Sequence, residues 1–251
     1  DSNASRGLGD VYKRQATNRV VRIIYIDIDT LRADHLGCGG YHRNTSPNID
    51  NVASAGINFR NVYASDVPCL PSRTALITGM FGIRNGVINH GGRAADLQPE
   101  GKDRGFFGRF SMRSWASVFY LAGWHTASIS SFPFRHGASW WNSGFMESMN
   151  LMRGFGGERA DQVIPGALDW LERRGKADDW FLHVHLWDPH TPYRTPEDYG
   201  NPFESDPVPS WHTEDVRMAN WDLAGPHSAQ EPWGFRPDEW GEPPPRQPWN
   251  A

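Results

Sequence analysis

The stretch VVRIIYIDIDT, residues 20–30, decides how the chain is read. Residues 20–28 form an apolar, β-branched run of strand length that ends in an acidic turn. A second run of this kind, WFLHVHLW at 180–187, is apolar at nearly every position, as a strand covered on both faces would be. HTASISS, beginning at His125, is a third candidate strand. Helical patterns lie between them. SPNIDNVASAG has Ser46 as its N-cap, Pro47 in its first turn and Gly56 at its stop. SRTALITG is a short helix starting near Pro71 or Ser72 and closed by Gly79. SMRSWASVFYLAG carries Trp115, Val118, Phe119 and Ala122 at helical spacing and ends at Gly123, and DQVIPGALDWLERR is helical with Pro165 near its first turn. Strands alternating with helices predict an α/β fold, a largely parallel sheet with helices on both faces. In such sheets a ligand site lies beyond the carboxyl ends of the strands.

That rule directs attention to Asp27 and Asp29. Two apart on a strand, they share a face. A carboxylate there suits a hard cation such as Ca²⁺ or Mg²⁺, although a solvated strand end is the plainer reading for one acidic residue alone. The two cysteines, Cys38 and Cys69, cannot make a disulfide framework and leave the redox compartment open. The net charge of −4 gives no argument for nucleic acid or an anionic membrane. No apolar run reaches the roughly 18 residues of a membrane span, and no charged-then-apolar signal segment is visible, so localisation is open. Residues 1–15, DSNASRGLGDVYKRQ, are polar, patternless and joined abruptly to the first strand, and are expected to be a non-native leader. Eleven of the 19 prolines and Trp211, Trp221, Trp233, Trp240 and Trp249 fall in residues 195–251. That segment is expected to be either a lid over a site or an end whose packing partner is missing.

VPCLPSRTALITG, residues 67–79, carries the chemistry. Cys69 at a helix start meets free backbone N–H groups and the positive end of the helix dipole, which favour anions. Arg73, one turn on, adds a planar cation matched to tetrahedral oxyanions. Residues 69–73 therefore predict an oxyanion site beside a reactive sulfur. A thiolate nucleophile of the cysteine-phosphatase kind is excluded by spacing: those loops place five residues between cysteine and arginine, whereas here there are three, stiffened by Pro71.

CLPSRTALITG matches the C-x-P-S-R-x4-T-G signature at every fixed position and resembles the type I, formylglycine-dependent sulfatases of the alkaline phosphatase superfamily. YIDIDTLRADHLG is similar to that family's first strand and acidic metal turn, TSPNIDNVASAGINFRNVYAS to the elements that follow, and FLHVHLWDPHTPY to a later strand ending in a substrate-side histidine. The resemblance spans about residues 20–194 and implies an alkaline-phosphatase-like sheet, with 16–194 the N-terminal part of the catalytic domain and 195–251 a loop or lid of it. It implies hydrolysis of a sulfate ester through a hydrated formylglycine made from Cys69 by a formylglycine-generating enzyme. Asp29 and residue 69 would hold a divalent cation, Ca²⁺ first and Mg²⁺ or Mn²⁺ as substitutes. Arg73 would hold the formylglycine, and His190 in DPHTPY would contact sulfate and protonate the leaving oxygen. The substrate would be a sulfated small molecule or carbohydrate, with no nucleic acid or membrane partner.

Departures from the pattern shape the remaining expectations. Thr30 stands where many members have a second aspartate. SSFPFRHG replaces a Gly-Lys-Trp-His stretch, so the lysine is absent and Arg135 or His136 is expected to supply its charge. Asp27, Arg32 and Asp34 are expected to be scaffold, and His183 and His185 to be core or supporting residues; their alternation ahead of Asp188 and His190 also fits a zinc cluster. The second acidic metal turn of the family is not found in 195–251, so the chain is expected to be the N-terminal portion of a sulfatase, inactive by itself. Two rival readings are a phosphonate monoester or phosphodiester hydrolase of the same superfamily, and a non-catalytic fragment.

Overall fold

The computed structural model describes residues 20–98, 114–151, 157–190 and 195–222. The leader at 1–15 and the tryptophans at 233, 240 and 249 lie outside the described residues. The chain divides into two units, Asp1–Asp29 with Asn61–Trp187, and Thr30–Arg60 with Asp188–Ala251.

The first unit is built on four parallel strands: β1 (Arg22–Ile28), β2 (His125–Ile129), β3 (Glu147–Met149) and β4 (Trp180–Leu186), in the order β1-β4-β2-β3. The apolar run at 180–187 becomes the interior strand β4, buried along nearly its whole length. The run at 20–28 becomes an edge strand with alternating exposure, Ile24 and Ile26 facing outward. Helices of this unit are α2 (Cys69–Thr78), α3 (Gly82–Asn85), α4 (Trp115–Leu121), α5 (Phe132–Arg135) and α6 (Ala160–Arg174); α1 (Pro47–Ala55) and α7 (Glu214–Asp222) belong to the second unit.

Strand alternation sorts β4 between two cores. Trp180, Leu182 and Val184 join Ala127 and Ile129 of β2 against Val163, Ala167 and Trp170 of α6. The intervening Phe181 and His183 turn to the other face, where Trp115 of α4 meets both edge-on, Phe119 of α4 stacks on Phe181 and Phe145 stacks on both. Beyond them a second apolar cluster joins Leu70 and Ile77 of α2 to Phe132, Trp141 and Trp187. Helices thus cover both faces of a parallel sheet, the expected α/β arrangement. Gly166 lets α6 sit close to β3, since a Cβ there would come 2.8 Å from Met149 Sδ.

α2 starts at Cys69, two residues earlier than the expected start near Pro71. Pro71 is tolerated because the first turn of a helix has no intrahelical use for its N–H. The helix closes as the sequence predicts: Gly79 takes a left-handed conformation, φ 64°, and its N–H bonds Ala75 O.

In the second unit, Ser46 holds the N-cap position of α1 as expected, but its side chain makes no capping bond to the helix. Its hydroxyl accepts from Gly37 N and donates to Asp50, whose carboxylate also accepts from Cys38 N at 2.7 Å. Arg43 ties the N-terminal and C-terminal parts of this unit together, pairing with Asp206 at 2.9 Å and lying over Phe203. Arg32 and Asp34 pair with each other at the surface. Trp211 is exposed and stacks on His212. Among the described residues no helix is long and apolar enough to cross a membrane.

Candidate active site

The carboxyl end of β1 and the start of α2 build one polar cluster inside the first unit. Arg73 projects from the second turn of α2 and is nearly buried. Asp27 holds it in a two-pronged pair, accepting from Nε at 2.7 Å and Nη2 at 2.8 Å. Its third nitrogen, Nη1, lies 3.4 Å from Asp29 Oδ2, and the guanidinium carbon lies 5.1 Å from the centre of the Phe132 ring. This gives Asp27 a defined task, the orientation of Arg73, in keeping with the expected scaffold role. The pair of carboxylates also holds Arg73 firmly protonated despite burial.

Asp29 is 1% exposed, just past the last residue of β1, and its N–H extends the ladder to Leu186 O. Thr30 follows in the left-handed region at φ 53°, a strained conformation for a β-branched residue and one typical of functional turns. His185 Nε2 lies 3.7 Å from Asp29 Oδ2. The donor type fits a hard cation: Asp29 presents buried carboxylate oxygen, with Arg73 Nη1 as the positive charge beside it. A sulfur at residue 69 is a poor ligand for such a cation, whereas an oxygen there would suit it.

Cys69 opens α2 with Sγ 3.0 Å from His90 Nε2 and 3.9 Å from His136 Nε2. The two imidazole rings are 5.0 Å apart, and Leu70 N approaches His90 Nε2 at 3.4 Å. Burial, reinforced by the Asp29 charge, pushes the thiol up to about 11. At neutral pH it carries its proton and is a weak nucleophile, which agrees with the sequence argument against a thiolate mechanism.

His136 follows α5 and packs on Phe132 with ring centres 4.4 Å apart. Burial first, then the charges of His90 and Arg135, hold it down to about 3, so it is neutral at physiological pH. Arg135 lies over the Trp187 ring at 4.1 Å. His183 is fully buried, shares a hydrogen bond with Ser128 Oγ, and is likewise held down to about 3 by burial, with His185 and Arg73 adding to it. Ser128, Trp141 and Phe145 around it make His183 a core residue. His185 packs against Phe132 and Trp141 behind Asp29.

Of the sequence-predicted site residues, Cys69, Arg73, His136 and Asp29 come together in the first unit. His190 belongs to the second unit, half-buried after the Asp188–Pro189 bond. His90 was missed by the sequence reading. It sits on an exposed loop, NHGG, braced by Asn85, whose side chain accepts from Val87 N and donates to Met80 O. A histidine beside two glycines carries no periodic or motif signal that would have singled it out.

The neutral histidines, buried His183 and half-buried His136, predict a pH dependence. His136 and His183 titrate near 6.5 when unfolded and near 3 when folded. Below about pH 6.5 the unfolded chain therefore takes up protons that the folded chain refuses. Their contribution to stability is complete above about 6.5 and is lost progressively as pH falls toward about 3. Urea midpoints should drop between pH 7 and 4, and His183→Gln should reduce the slope by about one proton. An unchanged slope in that variant would remove His183 from the account.

Comparison with known proteins places this cluster in context. A family model described as Sulfatase matches residues 22–222. The chain is 24% identical over 203 residues to an uncharacterized sulfatase, YidJ, of Escherichia coli K12, covering 70% of this chain and 40% of that protein. It is 26% identical over 230 residues to human iduronate 2-sulfatase, covering 79% and 40%. The structure of BT4656, solved in complex with its substrate D-glucosamine-2-N,6-O-disulfate, aligns with a TM-score of 0.60 at 21% identity, covering 76% of this chain and 40% of that one. The chain spans about two fifths of the length of these relatives.

Proposed function

The chain belongs to the sulfatase family, and on that premise we propose that it carries the nucleophile-bearing part of a sulfuric ester hydrolase. The observation that carries the proposal is the array of half-buried Asp27 with buried Arg73 and Asp29 beside Cys69 at the start of α2. It joins one fixed cation, one buried carboxylate and a helix N-terminus at the residue that the signature marks for conversion. A sulfated carbohydrate is the substrate class, in line with the disulfated glucosamine bound by BT4656; a smaller sulfated molecule fits the same chemistry.

In this reading a formylglycine-generating enzyme converts Cys69 to an aldehyde, whose hydrate offers two hydroxyls on one carbon. One hydroxyl attacks sulfur as the alcohol leaves. Proton loss from the other then expels sulfate and restores the aldehyde. Asp29 and the oxygen at residue 69 are the candidate ligands from this chain for a divalent cation, Ca²⁺ by donor type, which when bound withdraws charge from the sulfate. Arg73, unable to rotate because Asp27 grips two of its nitrogens, supplies fixed positive charge. His136 is too weak a base to gather protons at neutral pH and serves to orient the group at residue 69 by hydrogen bonding. His190 is the candidate proton donor to the leaving oxygen.

The test is an assay of the full-length protein, made with a formylglycine-generating enzyme and Ca²⁺, on aryl sulfates, aryl phosphates and phosphonate diesters. Sulfate esters should be preferred, and a preference for phosphonate diesters would reassign the chain to a hydrolase of that type. His190→Ala should slow esters with poor leaving groups more than activated ones. Residues 16–251 assayed alongside should show no turnover, since Asp29 and residue 69 supply only part of the 6–8 oxygens that Ca²⁺ usually takes.

A further inference from the structure

We propose that in the unconverted molecule Cys69, His90 and His136 form a site for a soft divalent cation of the zinc class, so that conversion of Cys69 changes which metal this position prefers. The three donor atoms, one sulfur and two imidazole nitrogens, lie within 4.8 Å of one another, the one such group among the described residues. Zinc bonds sulfur at about 2.3 Å and imidazole nitrogen at about 2.0–2.1 Å in tetrahedral geometry, which sets sulfur and nitrogen about 3.6 Å apart. The separations here, 3.0 and 3.9 Å, bracket that distance. A hydrogen bond from the thiol to His90 accounts for the shorter contact. A second imidazole, His136, meets the same sulfur at 3.9 Å from a different element, so two nitrogen donors converge on it. Two histidines and one cysteine leave a fourth position open, as zinc sites with three protein ligands do.

The surroundings tolerate the ion. The charged groups that act on Cys69 and His136 are Asp29 after β1, Arg73 on α2 and Arg135 on α5, and Asp27 behind them is paired with Arg73. His136 is fixed by packing on Phe132, so the sulfur must swing toward it from 3.9 Å, while His90, on an exposed loop, can draw back from 3.0 Å toward about 3.6 Å. Binding exchanges the thiol proton for the metal, with no change of oxidation state. The site exists only while residue 69 keeps its sulfur. Once sulfur is replaced by oxygen, Asp29 and residue 69 present hard donors and the soft site is gone. The binding itself does not depend on sulfatase activity; only the loss of the site on conversion rests on that reading.

The experiment uses full-length protein from a host without formylglycine-generating activity, stripped of metal and titrated with Co²⁺ and then Zn²⁺. The expected result is a thiolate-to-cobalt charge-transfer band that saturates at one equivalent, is displaced by Zn²⁺ and survives Cys38→Ala. The band should vanish in Cys69→Ala, and His90→Ala should weaken the affinity at least about tenfold. Zn²⁺, but not Ca²⁺, should also protect Cys69 from alkylation. His90 is exposed, so its variant should keep the near-UV circular dichroism of the parent. Absence of the band, its survival in Cys69→Ala, or an unchanged affinity in a folded His90→Ala protein would overturn the proposal. Protein whose formylglycine content has been measured by mass spectrometry should lose the band in proportion to that content; a band that persists at full conversion would equally overturn it.

Discussion

Cys69→Ala in the full-length protein should abolish turnover of an activated aryl sulfate, a loss on the order of a millionfold if it matches removal of the nucleophile in other covalent hydrolases. Residue 69 is where the reacting atom would be built, and its thiol, held up at about 11, cannot substitute for it. Peptide mass spectrometry of protein from a formylglycine-generating host should find residue 69 without its thiol, in a form that reacts with a hydrazide probe. Cys69→Ser should be equally inactive unless the host converts serine. Full activity with only unmodified thiol at residue 69 would end the formylglycine account, and substantial activity in Cys69→Ala would end the assignment of the nucleophile.

Arg73→Ala should lower turnover about a hundredfold or more, corresponding to about 2.7–4 kcal/mol for loss of one preorganised donor to a developing oxyanion. Arg73→Lys should rescue little, because a single ammonium cannot reproduce the two bonds to Asp27 while also facing Asp29. Asp27→Asn should produce a smaller loss by releasing Arg73, and it should add almost nothing on top of Arg73→Ala, since the two residues act as one unit. Formylglycine content must be measured in each variant, because Arg73 lies within the signature segment. Lost turnover with conversion intact locates the effect in catalysis. Additive losses in the double variant would show that Asp27 acts elsewhere.

The local features of this protein were readable from the chain alone, since each depends on residues close together in sequence. The β-branched run before residue 29, the stop at Gly79 and the spacing of cysteine, proline, serine and arginine in residues 69–73 are short-range patterns with short-range causes: steric preference, a left-handed closure and one turn of helix. They sufficed for a parallel α/β fold and for an oxyanion site at Cys69 and Arg73; Asp29 became a candidate ligand through the resemblance of its turn to the sulfatase pattern. The order of the strands needed the tertiary structure, because β4, last of the four in sequence, inserts between β1 and β2 and gains burial that its apolar run signals without naming its neighbours. The tertiary structure likewise decided the partner of Arg73, 46 residues away at Asp27, and brought His90 from a glycine-flanked loop 21 residues past the cysteine. Side-chain contacts across such separations arise from the packing of α2 and its following loop at the end of the sheet. Hydrophobic burial drives that packing, and it leaves no periodic trace in the polar residues it happens to bring together.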